Sequence, residues 1–468
     1  MENIKASIII PTRNRSKLIM SAIKSFIEQD FPAPQYEIII VDNGSTDCTR
    51  KAAECAISMN KDRNIRYIFE PEHGLLSGRH SGALKAKGEI LIFVDDDIEA
   101  VNGWLSTIMA EFEDKSVHLV GGPSLPKYEV DPPKWIDKYF SWEDGCMTCG
   151  SLSLQNKGWE RVEIDPVFVW GLNFAIRKKT LFALGGFHPD NMPKHLQHFQ
   201  GDGETGLALK LKEIGLKAIY SPGAKVYHNI PRKRLTVTYF EERFYYQGVC
   251  DSYTQIRENK GLSNIKIPDY QIFDQFLPNI PAYDQYNQII YKRIHNAYVD
   301  GFLFHHEAVR KSKTLLKWVL KEDYFDYRLP ELDPQEQQEI QEVRDRIQKR
   351  SSHPLWPQTT AQKMFKEAFN LIKSDDMDIA LSRLDMVANL CPCMPKIHLT
   401  RALCLFALNR PQEAVRAAIT ELAIQPDNKQ AVNILLKNQQ ALLEELKRAP
   451  KTIIQLVERA LNCLINQT

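Results

Sequence analysis

Residues 89–97 read EILIFVDDD: an apolar run followed by three consecutive aspartates. A continuous stretch of β-branched and aromatic residues reads as a strand buried on both faces. Asp95, Asp96 and Asp97 then fall at its carboxyl end, where adjacent carboxylates repel one another. Such crowding is tolerated when something cationic sits among them. Alternation directs Asp95 and Asp97 to the same side of an extended segment. Their oxygens suit Mg²⁺ or Mn²⁺, which bind through one or two carboxylates plus phosphates. The ordinary alternative is a solvated acidic turn, and against it stands the apolar context, with Ile98 following the cluster.

Working outward, the same alternation recurs. SIIIP (7–11), YEIIIVDNGS (36–45) and IRYIFEP (65–71) read as strands. KLIMSAIKSFIEQ (17–29), DCTRKAAECAISM (47–59) and LSGRHSGALKAK (76–87) have helical periodicity. Strands alternating with helices imply right-handed crossovers and an α/β fold: a mixed, mostly parallel sheet with helices on both faces. The carboxyl ends of its strands form the ligand crevice, and Thr12, Asp42 and Asp95–Asp97 share that edge. From about 104 to 165 the pattern loosens into aromatic and proline-rich stretches such as SLPKYEVDPPKWIDKYFSW, as expected of a loop-rich insertion around a substrate. Order resumes at VFVWGLNFAIRKKTLFALGGF (167–187), GDGETGLALKLKEIG (201–215) and LKAIYSPGAKVYHN (216–229). The expected domains are 1–257, a helical extension over 258–355, and an α-helical region over 356–468. In the last of these Ala380 aligns with Ala414 and Pro392 with Pro426, both 34 positions apart. That period with helix-turn-helix patterning resembles the tetratricopeptide repeat, whose stacks present a concave surface to a partner. A plain helical hairpin is the alternative.

Composition narrows the function classes. With 468 residues and 43% hydrophobic content the chain can bury large cores. Its 60 basic and 59 acidic residues leave a net charge of +1, so no global field draws nucleic acid or an anionic membrane. The nine cysteines are scattered without zinc-finger spacing and read as reduced thiols in a cytoplasmic protein. ASIIIPTRNR enters a strand at once and is too short for a signal peptide, and no stretch reaches membrane-span length. The amphipathic stretch FLFHHEAVRKSKTLLKWVL (302–320) either packs one face on the protein or touches a membrane surface peripherally.

IIIPTRNR, IIIVDNGSTD, SGRHSGALKAKGEILIFVDDD, WGLNFAIRKKTLFALGGF, GDGETGLALKLKEIG and YHNIPRKRLT, in that order within residues 1–257, resemble glycosyltransferase family 2, whose members adopt the GT-A fold. The resemblance implies that Pro11, Thr12 and Arg13, with Asp42, hold the base and ribose of a nucleoside diphosphate sugar, and that Arg79, Asp95 and Asp96 also contact the donor. Asp95 and Asp97 match the outer positions of the D-x-D motif, with Asp97 the direct metal ligand. Trp170, Gly171 and Asn173 match the acceptor side, and His228 a late histidine that completes the metal or diphosphate shell. From the residues alone, Asp42 equally suits a turn capping the helix from Thr46, Arg79 an ordinary surface arginine, and His228 a structural histidine.

Inversion needs a carboxylate that takes the acceptor hydroxyl's proton. The family places it in an E-D pair before a leucine-rich helix, and here the segment is GDGETG. Counting back from LALKL puts Glu204 on the family's aspartate, with Asp202 the alternative, and the surrounding glycines are expected to admit a substrate close to the backbone. Negative charge at a helix's first turn accounts for one of the two carboxylates without chemistry. The combined expectation is an inverting, Mn²⁺- or Mg²⁺-dependent transferase that moves a sugar, from UDP by analogy, to a glycan, lipid-linked or peptide acceptor, with the repeats recruiting acceptor or protein partner and no role for nucleic acid. The altered base motif keeps a rival open: a catalytically idle nucleotide-sugar-binding adaptor acting through its helical repeats. A nucleotidyltransferase would want glycines after the first strand, and PTRNRSK has none.

Overall fold

The structure, a computed structural model, describes residues 4–143, 145–270, 282–351, 357–390, 396–424 and 428–447, with 449, 454–455, 457–458 and 461 beyond them. Two compact units result: Met1–Phe273 with Tyr291–Gln348, and Asp274–Ile290 with Lys349–Thr468. The segment 258–355 is therefore divided between them.

The first unit holds the strands β1 (Ala6–Thr12), β2 (Tyr36–Asp42), β3 (Ile65–Phe69), β4 (Ile90–Val94), β5 (Ile98–Ala100), β6 (Val117–Gly121), β7 (Ser124–Tyr128), β8 (Ser141–Glu143), β9 (Cys146–Cys149), β10 (Leu154–Asn156), β11 (Val162–Ile164), β12 (Asn173–Arg177), β13 (Lys217–Tyr220) and β14 (Val226–Ile230). Eight of them form one sheet in the order β11-β13-β6-β12-β4-β1-β2-β3. β3, β2, β1 and β4 are parallel, and only β12 and β11 run against the rest. The sheet is mixed and mostly parallel, as the alternation predicts.

Why the strands read as continuous apolar runs is visible in the packing. Ile9, Ile39, Val41, Leu91 and Phe93 join one core with Leu76 and Ala83 of the helix Leu75–Lys85. Their neighbours Ile8, Ile10, Ile38, Ile40, Ile92 and Val94 join another with the helices Ile19–Ile27 and Trp104–Glu111. Alternate side chains thus meet water on neither face.

The region around 104–165 differs from expectation. It builds β6 to β11, and four of these, β7 to β10, lie in a second sheet ordered β5-β14-β7-β10-β9-β8. Its strands are three to five residues long, too short for a period-2 signal to register. The stretch 302–320 is also resolved: the helix Ala282–Lys311 ends, Ser312 caps the helix Lys313–Val319 through its hydroxyl, and Phe302, Phe304, Ala308, Leu315 and Trp318 are buried in protein. None of these side chains is left to enter a membrane surface. Among the described residues no helix is long and apolar enough to cross a membrane.

The second unit is helical: Pro357–Lys373, Met377–Leu390, Ile397–Ala407, Pro411–Ile424, Lys429–Lys437 and Gln439–Leu446. Ala380 and Ala414, 34 positions apart, are both fully buried; Pro392 and Pro426 lie outside the described residues. Buried Glu421 accepts from the backbone N–H groups of Lys396 and Leu399, fixing the start of the helix Ile397–Ala407 where negative charge is favoured.

Candidate active site

In-register parallel pairing sets Thr12 opposite Asp42, and β4 beside β1 delivers the aspartate cluster to the same edge. Asp42 is buried; one carboxylate oxygen accepts from the Ser45 N–H at 2.8 Å, the other from the Tyr67 hydroxyl at 2.7 Å. The turn role is therefore real, although the following helix starts only at Thr49, beside Asp47. Thr12 donates its hydroxyl to Asp96 at 2.7 Å, tying the end of β1 to the cluster, while Pro11 packs against Gly78 and Arg13 lies exposed near His73.

The three aspartates have three different environments. Asp96, held by Thr12 and 3.9 Å from Arg15, has its carboxyl pushed up to about 7 by burial and then by the Asp97 charge. Asp95 is half-buried, takes no hydrogen bond or ion pair among the described residues, and is raised by burial and by Asp97. Burial also acts to raise Asp97, but the arginines around it, Arg234 and then Arg15, hold the group ionised.

Asp97 and His228 are both buried, with Asp97 Oδ1 3.4 Å from His228 Nε2 and Oδ1 taking no hydrogen bond. The tautomer follows from the partners. His228 Nδ1 lies 3.0 Å from the Leu152 carbonyl, which can only accept, so Nδ1 carries the proton. Nε2 faces a guanidinium nitrogen of Arg234, which can only donate, so Nε2 carries the lone pair. Two acceptors therefore face each other with no proton between them, bridged by Arg234, whose other nitrogen is 2.7 Å from Asp97 Oδ2. A carboxylate and a neutral imidazole fixed by a carbonyl behind it are a donor set that Mn²⁺ or Mg²⁺ accepts. Among the described residues no group of three or more His, Cys, Asp or Glu could hold a metal, so further ligands would have to come from a phosphate or water.

A second cluster is built around Arg79. This buried arginine reaches from the helix Leu75–Lys85 across the face of Phe187, 4.9 Å from its ring centre, to Glu204 Oε2 at 3.1 Å. Glu204 opens the helix Glu204–Glu213, and its Oε1 accepts from the Gly171 N–H at 2.9 Å. Burial pushes the Glu204 carboxyl up, but Arg79 and the Gly171 N–H outweigh it and keep the group below the ordinary glutamate range. Arg79 is thus no surface arginine. Asp202 lies two residues earlier, outside the helix, with both oxygens engaged, one by His188 Nδ1 at 2.7 Å and one by the Thr254 hydroxyl at 2.7 Å.

The glycines beside these carboxylates correct an expectation. A Cβ at Gly206 would stand 1.9 Å from His188 Nδ1, one at Gly201 2.9 Å from the Tyr253 ring, and Gly203 at φ +59° faces Asp190. They make room for the protein's own side chains, not for a substrate. Of the acceptor-side residues, Gly171 belongs to the Arg79–Glu204 cluster and Trp170 is half-buried next to it. Asn173 spends its side chain on the frame, donating to the Ala224 carbonyl and accepting from Trp104 Nε1.

Sequence reading passed over two participants. Arg234 lies in the basic run PRKRL directly after VYHN, a signal available in the sequence. Asp190, in the turn after GGFHP, carries no such signal; burial and the Glu204 charge push its carboxyl up, and Gln200 donates to its Oδ1 at 3.0 Å.

Residues 7–181 match the sequence profile of Glycosyl transferase family 2. This stretch is a family 2 glycosyltransferase domain. The family 2 domain contains Thr12, Asp42, Arg79 and the aspartate cluster, whereas Glu204, His228 and Arg234 lie beyond the matched residues. The chain is 35% identical over 126 residues to GalNAc(5)-diNAcBac-PP-undecaprenol beta-1,3-glucosyltransferase of Campylobacter jejuni subsp. jejuni, spanning 26% of this chain and 39% of that enzyme. It is 21% identical over 249 residues to the glucosyl-dolichyl phosphate glucuronosyltransferase of Haloferax volcanii, spanning 52% of this chain and 75% of that enzyme. Among solved structures, the mannosyltransferase PcManGT from Pyrobaculum calidifontis in complex with GDP-Man and Mn²⁺ matches 74% of this chain and 88% of its own, at 18% identity and a TM-score of 0.41.

Proposed function

We propose that the chain is an inverting, metal-dependent glycosyltransferase that moves a sugar from a nucleoside diphosphate, UDP by analogy, to a hydroxyl acceptor. Residues 1–257 are its catalytic domain, 258–355 a helical extension and 356–468 tetratricopeptide-like repeats that recruit acceptor or partner. The observation that carries the reading is the acceptor pair Asp97 Oδ1 and His228 Nε2 at the sheet edge, 3.4 Å apart without a proton between them.

Asp97 and His228 are the residues that would hold the metal, with Asp95 beside them, and a bound Mn²⁺ or Mg²⁺ would offset charge developing on the departing diphosphate. Thr12, Asp42 and Asp96 form the donor edge. Arg79 contributes a fixed cation between that edge and Glu204. Glu204, ionised at neutral pH, takes the proton from the acceptor hydroxyl as its oxygen bonds to the anomeric carbon and the bond from that carbon to the diphosphate breaks. Asp202, with both oxygens engaged, is better suited to positioning His188 and Thr254 than to proton transfer. The names of the Campylobacter and Haloferax relatives, which denote transfer onto lipid-linked phosphates, support an acceptor of glycoconjugate type.

The test is thermal unfolding of the purified chain and of Asp97→Ala with UDP, GDP, CDP and dTDP, each with and without Mn²⁺. One nucleotide is expected to raise the melting temperature only with Mn²⁺, and Asp97→Ala to abolish that shift while still unfolding cooperatively, at a lower basal melting temperature because Arg234 loses its partner. No shift with any nucleotide, or an undiminished shift in the variant, overturns the reading.

A further inference from the structure

Along the helix Val237–Glu258 a cavity of about 230 Å³ opens, lined by Tyr139, Gly150, Ser151, Arg243, Phe244 and Gln247. Nothing in the donor, metal or base arrangement uses it. Arg243 projects from the helix Val237–Glu258 and is half-buried. Three carboxylates of its own helix are engaged elsewhere, Glu241 with Arg293, Glu242 with Lys194 at 2.9 Å, and Asp251 with Gln247 and Tyr298, and the fourth, Glu258, lies at the far end of the helix. Arg243 itself makes no hydrogen bond or ion pair among the described residues. The one carboxylate that feels its charge, Asp190, makes no hydrogen bond to it, so a half-buried guanidinium with five donors is left without a hydrogen-bond partner in the protein.

The surroundings are built to receive one. The Tyr139 ring is held 5.2 Å from Phe244 and 5.0 Å from Phe240, giving a rigid aromatic wall. At Gly150 a Cβ would meet nothing within 4 Å, so the opposite side is open. The position relative to the chemistry is set by the helix that carries Arg243: its Cys250 thiol lies 3.0 Å from the Gly201 carbonyl and its Thr254 hydroxyl donates to Asp202 at 2.7 Å, so it packs along the segment that leads into Glu204. The helix that lines the cavity therefore packs on the segment that carries the proposed base.

We propose that this cavity is an acceptor subsite for a phosphoryl group, with Arg243 as its anion-binding residue, so that the acceptor hydroxyl belongs to a molecule bearing a phosphate ester. Its volume, below the ~300–1,000 Å³ of a whole small-molecule site, matches one group of a longer acceptor. A planar fork of donors pairs with two phosphate oxygens at once, and the aromatic wall packs against the carbon chain or sugar attached to the phosphate. The word acceptor rests on the transferase reading; the anion site does not.

The experiment is isothermal titration of the full chain with sn-glycerol 3-phosphate and with geranyl phosphate, using glycerol, geraniol and glucuronate as controls. Wild type, Arg243→Ala and Arg243→Gln are compared, with UDP plus Mn²⁺ titrated in parallel to report the donor side. At least one phosphate probe is expected to bind tenfold or more tightly than its alcohol and than glucuronate, and both variants to lose that margin at unchanged melting temperature and unchanged UDP binding. Preference for geranyl phosphate assigns the phosphate to a lipid carrier; preference for glycerol phosphate assigns it to a polyol-phosphate chain. Binding of both variants like wild type, or no margin over the uncharged and carboxylate controls, overturns the proposal. Loss of UDP binding in wild type with Arg243-dependent phosphate binding intact would overturn the transferase reading and leave the anion site standing.

Discussion

Gly171 and Arg79 compete for one volume: a Cβ at 171 would stand 2.0 Å from Arg79 Nη2 and 2.8 Å from its Cζ. The obstructing atoms are the end of a side chain and not backbone, so Gly171→Ala is expected to swing the guanidinium off Glu204 at a stability cost of about 1–3 kcal/mol. Turnover should fall at least tenfold, and comparing kcat with the melting temperature checks both parts. Glu204→Gln is expected to lower transfer by ~10²–10⁴-fold while leaving the nucleotide-dependent thermal shift intact. Asp202→Asn instead weakens the buried contacts to His188 and Thr254, costing about 1–3 kcal/mol of stability. Full transfer by Glu204→Gln with loss in a stable Asp202→Asn would reverse the two roles. At this scale the residue types were legible and their partners were not. Nothing in IIIPTRNR announces that Thr12 spends its hydroxyl on a side chain 84 positions away.

The helix Leu75–Lys85 carries both Arg79 toward the site and His80 away from it. His80 is fully buried, donates from Nδ1 to the Tyr324 carbonyl at 2.9 Å, accepts the Phe187 N–H at Nε2 at 2.9 Å, and stacks on Phe325. Burial holds its pKa down to about 3, against an ordinary value of 6.5. Between those values the unfolded chain binds a proton that the folded one refuses, so the contribution of His80 to stability is present above pH 6.5 and shrinks as the pH falls. The stability gap between wild type and His80→Gln, measured by urea unfolding, is therefore expected to be smaller at pH 5.5 than at pH 7.5 by about 1.4 kcal/mol. A gap independent of pH would show that the ring titrates normally. Elements with strong periodicity were readable: the runs at 7–11, 36–45 and 89–97 became β1, β2 and β4. The short strands of the second sheet were not, because a three-residue strand such as β8 or β10 makes no pattern and is held only by its neighbours.

At the scale of the whole molecule the buried clusters separate cleanly. The C-terminal core draws on residues from Ala368 to Val457, and the two cores of the large sheet contain none of them. Truncation after Gln348 is thus expected to leave the Mn²⁺-dependent nucleotide shift of the first unit within about 2 °C of the full chain's, since a stability change under ~0.5 kcal/mol moves a domain of this size by no more. Loss of the shift in a folded truncation would mean that the second unit takes part in donor binding. Taken by itself, the sequence determined the alternation of strands and helices, the two-sided burial of the sheet, and the gathering of Thr12, Asp42 and the three aspartates at one edge. These follow from local periodicity and from the rule that parallel strands end together. Only the tertiary structure decided that Arg234 bridges Asp97 and His228, that Glu204 rather than Asp202 keeps a carboxylate facing Arg79 and Gly171, and that Arg243 is left without a hydrogen-bond partner. Each of those depends on side chains brought together from distant segments, where distance and burial set protonation and pairing and no local pattern records them.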